Sequence, residues 1–123
     1  MIIEDDSHVS RVVRNHLEEN FENIRVTIAG SPQKAREVLE KFPPHFIIWD
    51  GVTNSQNSSE QYINCIPTAL WSRVIPISGK EDLHNIAKER GAHPPIPKKT
   101  DGINSWSEEI VNYIKPRLPK KKK

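Results

Sequence analysis

Four apolar runs of the sequence end in side chains that can do metal and phosphate chemistry. Carboxylates follow two of the runs, a hydroxyl follows the third and an amine follows the fourth; these residues are Glu4-Asp5-Asp6, Asp50, Ser78 and Lys98. Carboxylate oxygens are hard ligands of the kind that Mg²⁺ prefers, and a bound Mg²⁺ also neutralises an incoming phosphoryl group. Carboxylates that lie close together stay ionised only beside a cation or a lysine. If the fold brings the four ends together, these residues predict a site for Mg²⁺ and phosphate.

Five short runs predict the strands that would position these side chains. They cover residues 1–3, 24–29, 45–49, 74–77 and 94–97, and most of them are rich in the β-branched residues that strands favour. The run that ends at Trp49 is apolar through its last four residues, as expected of a strand buried on both faces of a parallel sheet. The run at 94–97 contains three prolines, so we expect it at an edge of the sheet.

Amphipathic patterns predict helices between the strands. Ser31-Pro32 and the capping-box spacing of Ser105 to Glu108 indicate helix starts, and Gly91 indicates a helix end. Residues 60–70 have a helical pattern that Pro67 must interrupt. Because strands and helices alternate, the sequence predicts an α/β fold, a doubly wound five-stranded parallel sheet with helices on both faces. The functional site of such a sheet lies beyond the carboxyl ends of its strands, where the four polar ends are expected.

Length, charge and composition restrict the classes of protein to consider. A chain of 123 residues predicts one domain, residues 1–114, followed by a basic tail or linker stump, residues 115–123. The tail holds six positive charges and no acid, which leaves residues 1–114 with a net charge of −4. Cys65 has no second cysteine to pair with, and no histidine has metal-ligand spacing. Without a signal-peptide pattern or a membrane-length apolar run, we expect a cytoplasmic protein.

The order and spacing of these motifs resemble the receiver domain of bacterial two-component response regulators. Ile3-Glu4-Asp5-Asp6 is similar to the acidic pair after the family's first strand, and Phe46 to Asp50 is similar to the strand that ends in its phosphoacceptor aspartate. Val74 to Gly79 resembles the strand that ends in Ser or Thr followed by a small residue. Gly91-Ala92 followed by Lys98 reproduces the family's Gly-Ala to Lys interval. The resemblance covers nearly the whole predicted domain and implies a flavodoxin-like fold of the receiver type.

The resemblance implies a phosphoacceptor role for Asp50. Its carboxylate would be the nucleophile that takes a phosphoryl group from the phosphohistidine of a sensor histidine kinase or a phosphotransfer protein. Ser78 would donate its hydroxyl to a phosphoryl oxygen, and Lys98 would place a positive charge beside another. An effector domain or protein would act downstream, and the chain would be a regulatory phosphoacceptor rather than an enzyme.

The resemblance also implies the ligands of the metal ion. Glu4 and Asp5 would hold Mg²⁺ together with the carboxylate of Asp50. The backbone carbonyl of Val52 would complete the ligands that the protein supplies. Phosphoryl transfer needs mainly in-line placement and neutralisation of charge, so this short set of residues is chemically sufficient.

The sequence departs from the family pattern at positions that pass the signal on after phosphorylation, and not at those that accept the phosphoryl group. Thr53-Asn54 stand where the family usually has Met-Pro, Lys99 replaces the proline that follows the lysine of the fifth strand, and Pro95 occupies the position of the switch aromatic. The first strand is also short. Two alternatives therefore stay open. One is a pseudo-receiver that acts as a phosphorylation-independent interaction module, and the other is a nucleic-acid-associated protein that uses the basic tail.

Overall fold

Four parallel strands form the sheet in the computed structural model, which describes residues 1–3, 7–22, 24–49, 63–77, 81–96 and 102–117. The strands are β1 (Ile2–Ile3), β2 (Ile28–Ala29), β3 (Ile47–Trp49) and β4 (Val74–Pro76). Their order across the sheet is β2-β1-β3-β4, and all three pairings are parallel. Ile77 and Ile96 form a further parallel bridge, so the proline-rich run lies beside β4. The predicted parallel α/β fold is confirmed, with its fifth member reduced to a single bridge in the described residues.

Helices begin and end largely where local chemistry predicts. They are α1 (Ser7–Asn20), α2 (Pro32–Lys41), α3 (Glu81–Glu89) and α4 (Ile103–Ile114), with a 3₁₀ helix at Thr68–Arg73. The Ser31 hydroxyl accepts a hydrogen bond from the backbone N–H of Lys34 at 3.2 Å, and Pro32 opens α2. Gly91 follows α3 with a φ of 91°, a conformation that favours glycine. The 3₁₀ helix begins directly after Pro67, which confirms the predicted interruption.

The predicted start of the last helix is two residues too late. The capping-box spacing of Ser105 to Glu108 indicates a start at Ser105, whereas α4 begins at Ile103, after Gly102. Gly102 has a φ of 103°, and its carbonyl accepts from the N–H of Ser105 at 3.2 Å. Ser107 is buried inside the helix and its hydroxyl hydrogen-bonds His16 Nδ1 of α1. A contact between distant helices therefore uses Ser107, which lies between the two residues of the predicted capping box and is not its cap.

The apolar core consists of two clusters, one on each face of the sheet. Side chains alternate between the faces along each strand, because successive strand residues point in opposite directions. Ile3, Ile47 and Trp49 pack with residues of α2 and the 3₁₀ helix. Ile2 and Ile48 pack with residues of α1 and α4. These side chains are almost fully buried, and each such burial stabilises the fold by roughly 1.5–3 kcal/mol. The core therefore holds the strand ends in a fixed register.

β2 is shorter than predicted. The pattern indicates a strand from Ile24, but the paired residues are Ile28–Ala29. The pairing partner explains the difference, because β1 contains only Ile2 and Ile3. Between β1 and the segment that contains β2, the hydrogen bond nearest the amino end is the one that the N–H of Ile2 donates to Thr27 O, at 2.8 Å. Residues 24–26 have strand composition without a strand beside them, and propensity alone does not form a ladder.

Candidate functional site

The carboxyl ends of the strands lie side by side at one edge of the sheet. Ile3 is in register with Trp49, and Trp49 is in register with Pro76. The N–H of Ile77 donates to the carbonyl of Trp49 at 2.9 Å, and Ile77 bridges Ile96. All of these residues are buried. Four segments of the chain thus leave the core next to one another at this edge.

The predicted site residues lie outside the described residues, and each follows one of these strand ends by one to three positions. They are Glu4, Asp5, Asp50, Val52, Ser78 and Lys98. Thr53-Asn54 and Lys99 also lie outside, whereas Pro95 is described and is exposed. Within the described ranges no group of three or more His, Cys, Asp or Glu side chains could hold a metal ion. The Mg²⁺ hypothesis therefore depends on the residues that follow the strand ends, and their roles stay predictions.

Two tryptophans are packed against each other at the end of β3. The ring centroids of Trp49 and Trp71 are 5.6 Å apart at an angle of 85°, an edge-to-face contact. Trp71 Nε1 donates to Ile66 O at 3.2 Å, and the Arg90 guanidinium lies 5.1 Å from its ring centroid. Trp49 Nε1 is buried and has no hydrogen-bond partner among the residues that the structure describes. Both side chains belong to the apolar core, while the unpaired donor could not be inferred from the sequence.

His93, which directly precedes the proline-rich segment, packs against α4 in a cluster of side chains that the sequence did not indicate. His93 Nδ1 hydrogen-bonds the Tyr113 hydroxyl at 2.7 Å, and the two rings meet edge to face. Phe46 lies on the other side of His93, with ring centroids 5.6 Å apart. The Arg117 guanidinium lies 3.9 Å from the Tyr113 ring centroid. Burial, and to a lesser extent the charge of Arg117, lowers the pKa of His93. No spacing rule connects these residues, because they meet only in the folded chain.

The cysteine is a small residue of the apolar core. Cys65 is 2% exposed. Burial raises the pKa of its thiol to about 11, although the charge of Arg36 acts in the opposite direction. Since the thiolate is the reactive form, Cys65 is a poor nucleophile in this fold.

The described helices include none that is long and apolar enough to cross a membrane.

A groove of about 850 Å³ opens at the opposite, amino edge of the sheet. Residues 24–27 line one side of it and residues 43–46 line the other. Met1 lies at its inner end, and the α-amino group donates to Phe46 O at 2.8 Å. Burial lowers the pKa of this amino group to about 6. The groove lies at the edge opposite the strand ends that precede the candidate residues, and the sequence pattern did not indicate it.

Receiver domains of known structure share this fold over nearly the whole chain. The receiver domain of the Francisella response regulator 1452 superposes with a TM-score of 0.67 at 15% identity, over 95% of this chain and 96% of that one. The signal receiver domain of a putative Luxo repressor protein from Vibrio parahaemolyticus gives a TM-score of 0.66 at 18% identity, over 94% and 88%. NtrX from Brucella abortus, solved in complex with ADP, gives a TM-score of 0.55 at 19% identity. The match covers 94% of this chain but only 26% of that one.

Sequence comparison adds no closer relationship. No protein-family model matches the chain, and no curated protein matches it. At these identities the structural likeness establishes the fold alone. The chain therefore has the fold of a response regulator receiver domain, as the motifs at the strand ends predict.

Proposed function

We propose that the protein is a phosphoaccepting receiver domain of a two-component system, in which Asp50 takes a phosphoryl group from a histidine kinase or a phosphotransfer protein. The observation that carries this proposal is the register of the buried strand ends. Ile3, Trp49 and Ile77 are consecutive neighbours across the sheet. An acid, an acid and a hydroxyl follow them directly in the chain. In an α/β sheet this edge is where ligands bind.

The proposed chemistry is a phosphoryl transfer between two proteins. A carboxylate oxygen of Asp50 forms a bond to phosphorus while the bond from phosphorus to the donor's histidine nitrogen breaks, which gives an acyl phosphate. Glu4 and Asp5 would hold Mg²⁺ with Asp50 and the carbonyl of Val52, and the ion would supply charge neutralisation when bound. Ser78 would donate to one phosphoryl oxygen, and Lys98 would neutralise charge on another.

Acceptor chemistry can be tested on the purified chain with a small phosphodonor. We expect acetyl phosphate and Mg²⁺ to add one phosphoryl group, detected by intact mass, and hydroxylamine to remove it as it removes an acyl phosphate. Asp50→Asn should abolish the adduct. Asp82→Asn, which also removes one carboxylate but lies in α3, should leave it unchanged. An adduct that survives in Asp50→Asn, or none in the wild type, would contradict the proposal.

Metal binding can be followed through the tryptophan next to the acceptor. Trp49 directly precedes Asp50 and is buried, so we expect its fluorescence to change on titration with Mg²⁺. Trp71→Phe would remove the neighbouring buried indole from the signal. Asp5→Asn should weaken the response strongly, because a ligand to the ion is lost. An identical titration in wild type and Asp5→Asn would argue against these ligands.

A phosphorylation-independent interaction module is the second candidate. The observation in its favour is that Pro95, at the position of the switch aromatic, is an exposed proline. A relay from Ser78 to an aromatic ring at that position is therefore not available. If the protein is such a module, a partner that binds the wild type should bind the Asp50→Ala variant with the same affinity. Adding a phosphodonor should change neither affinity. In the leading proposal, affinity for an effector domain or protein changes on phosphorylation and stays constant in the variant.

A further inference from the structure

His93 connects the outer edge of the sheet to the C-terminal end of α4. Its backbone N–H donates to Val74 O of β4 at 2.9 Å, which fixes the residue to the sheet. Its half-buried side chain reaches α4, where Nδ1 and the Tyr113 hydroxyl form a hydrogen bond of 2.7 Å. The imidazole also packs against Phe46, with ring centroids 5.6 Å apart. One side chain therefore joins segments that are distant in sequence.

Two prolines interrupt the backbone ladder directly after His93. In a regular parallel pairing, every second residue of a strand donates to the neighbouring strand. Here the next donor after His93 is Ile96, whose N–H donates to Pro76 O at 2.8 Å. Three positions along this segment thus span two along β4, which makes a bulge. Pro94 and Pro95 have no N–H to donate and are exposed. With so few backbone hydrogen bonds, the side-chain contacts of His93 form a large part of the attachment between this edge and α4.

Arg117 makes the contact sensitive to charge. Its guanidinium lies 3.9 Å from the Tyr113 ring centroid and donates to Tyr113 O at 2.8 Å. His93 and Arg117 therefore contact the same phenol side chain. Protonation of His93 would place a second positive charge beside that ring, in a partly buried site, and both burial and the charge of Arg117 disfavour the protonated form.

Other charged and titratable groups on the surrounding elements do not compensate for this repulsion. Among the described residues these groups are His45, Arg90, Glu109 and Lys115. None of them, Glu109 included, is a cause of the lowered pKa of His93, which follows from burial first and from Arg117 second. Lys98, Lys99 and Asp101 follow His93 in the chain and lie outside the described residues. The described part of the chain therefore supplies no counter-ion to a protonated His93.

We propose that His93 is a pH-sensitive switch that holds the C-terminal end of α4 against the edge of the sheet when its imidazole is neutral and releases it when the imidazole is protonated. The Tyr113 hydroxyl can still accept a hydrogen bond from a protonated ring. The contact opens because the second positive charge is repelled by Arg117 and gains hydration in the open state. Residues 115–123 carry six positive charges and begin at this end of α4, so release also frees the start of the basic tail. The switch does not depend on the proposed phosphoacceptor chemistry.

NMR titration of the imidazole signals measures protonation at His93 itself. We expect His93 to titrate below the ordinary pKa of 6.5, and the ring signals of Tyr113 to shift on the same curve. Arg117→Gln removes the neighbouring charge and should raise the pKa of His93. Lys88→Gln, which removes an exposed charge in α3, should leave it unchanged. Tyr113 signals that do not follow His93, or a titration that Arg117→Gln does not alter, would overturn the proposal.

Amide hydrogen exchange measures the release of the helix end. The rates are measured at about pH 5 and about pH 7.5, on either side of the imidazole titration, and each is divided by the intrinsic rate of an unstructured peptide at the same pH. The N–H groups of Lys115 and Arg117 are hydrogen-bonded at the end of α4. We expect their protection to fall by about threefold to tenfold at the lower pH, the equivalent of one hydrogen bond. The N–H of Phe42, hydrogen-bonded at the end of α2, should show no such fall.

Two histidine variants separate the effect of charge from that of structure. His93→Gln carries no titratable group, so the protection of the α4 end should be the same at both pH values. A general loss of stability in this variant does not obscure the result, because the comparison is between pH values within one protein. His45→Gln, an exposed matched control, should keep the wild-type response. Equal pH dependence in the wild type and His93→Gln, or no release in the wild type at the lower pH, would overturn the proposal.

Discussion

The buried α-amino group of Met1 makes stability depend on pH in a range where few side chains titrate. Burial lowers the pKa of this group from 8.0 to about 6. Between these values the unfolded chain binds the proton more strongly than the folded chain does, so stability rises as the pH increases from 6 to 8. At about 1.36 kcal/mol for each pKa unit, the full effect is about 2.7 kcal/mol. Below the window both states are protonated, and above it both are neutral.

Urea unfolding followed by tryptophan fluorescence, at constant ionic strength across this window, measures the effect. We expect the midpoint to rise with pH at an unchanged slope m. The pKa of His93 is also lowered, from 6.5, and its contribution has the same sign. It lies below pH 6.5, so the upper part of the window isolates Met1. His93→Phe should therefore keep the dependence between pH 6.5 and 8.

Acetylation of Met1 provides the matched control. The acetylated chain carries no titratable amine, so we expect its stability to be flat from pH 6.5 to 8. At pH 6 it should exceed the stability of the free chain. If both chains show the same dependence, the amino group is not the cause. Stability that falls between pH 6.5 and 8 in the free chain would refute the buried position of the ammonium.

Three further predictions concern the core. Trp49→Phe removes a buried N–H donor that has no described partner. Leaving such a donor unsatisfied costs about 1–3 kcal/mol, so its removal should offset most of the packing energy that is lost with the larger ring. Trp71→Phe breaks a hydrogen bond as well as packing and should be clearly more destabilising in urea unfolding; equal losses would contradict the assignment. Ser107→Ala should lower the free energy of unfolding by about 1 kcal/mol, because the hydrogen bond to His16 is lost. In a double-mutant cycle with His16→Ala the two losses should not add, and additive losses would mean that the bond does not stabilise the fold. Ile75→Ala should lower stability by about 2–5 kcal/mol, and a much smaller loss would mean that the site collapses around the cavity.

Local chemistry in the sequence is sufficient to predict most of the elements. Ser31-Pro32 caps and opens α2, and Gly91 follows α3, because each effect involves backbone groups within a few residues. The apolar run that ends at Trp49 is a central strand, as its uniform hydrophobicity predicts. The alternation of such elements predicts a parallel sheet and the edge that carries the candidate site.

Tertiary structure decided the features that depend on a partner distant in sequence. Residues 24–26 have the composition of a strand, yet they are unpaired because β1 starts at Ile2. His93 and Tyr113 meet only when the proline-rich segment docks beside β4 and α4 packs on the sheet. The residue types at the strand ends are therefore a property of the sequence. Their common edge results from strand register, which forms through contacts between segments far apart in the chain.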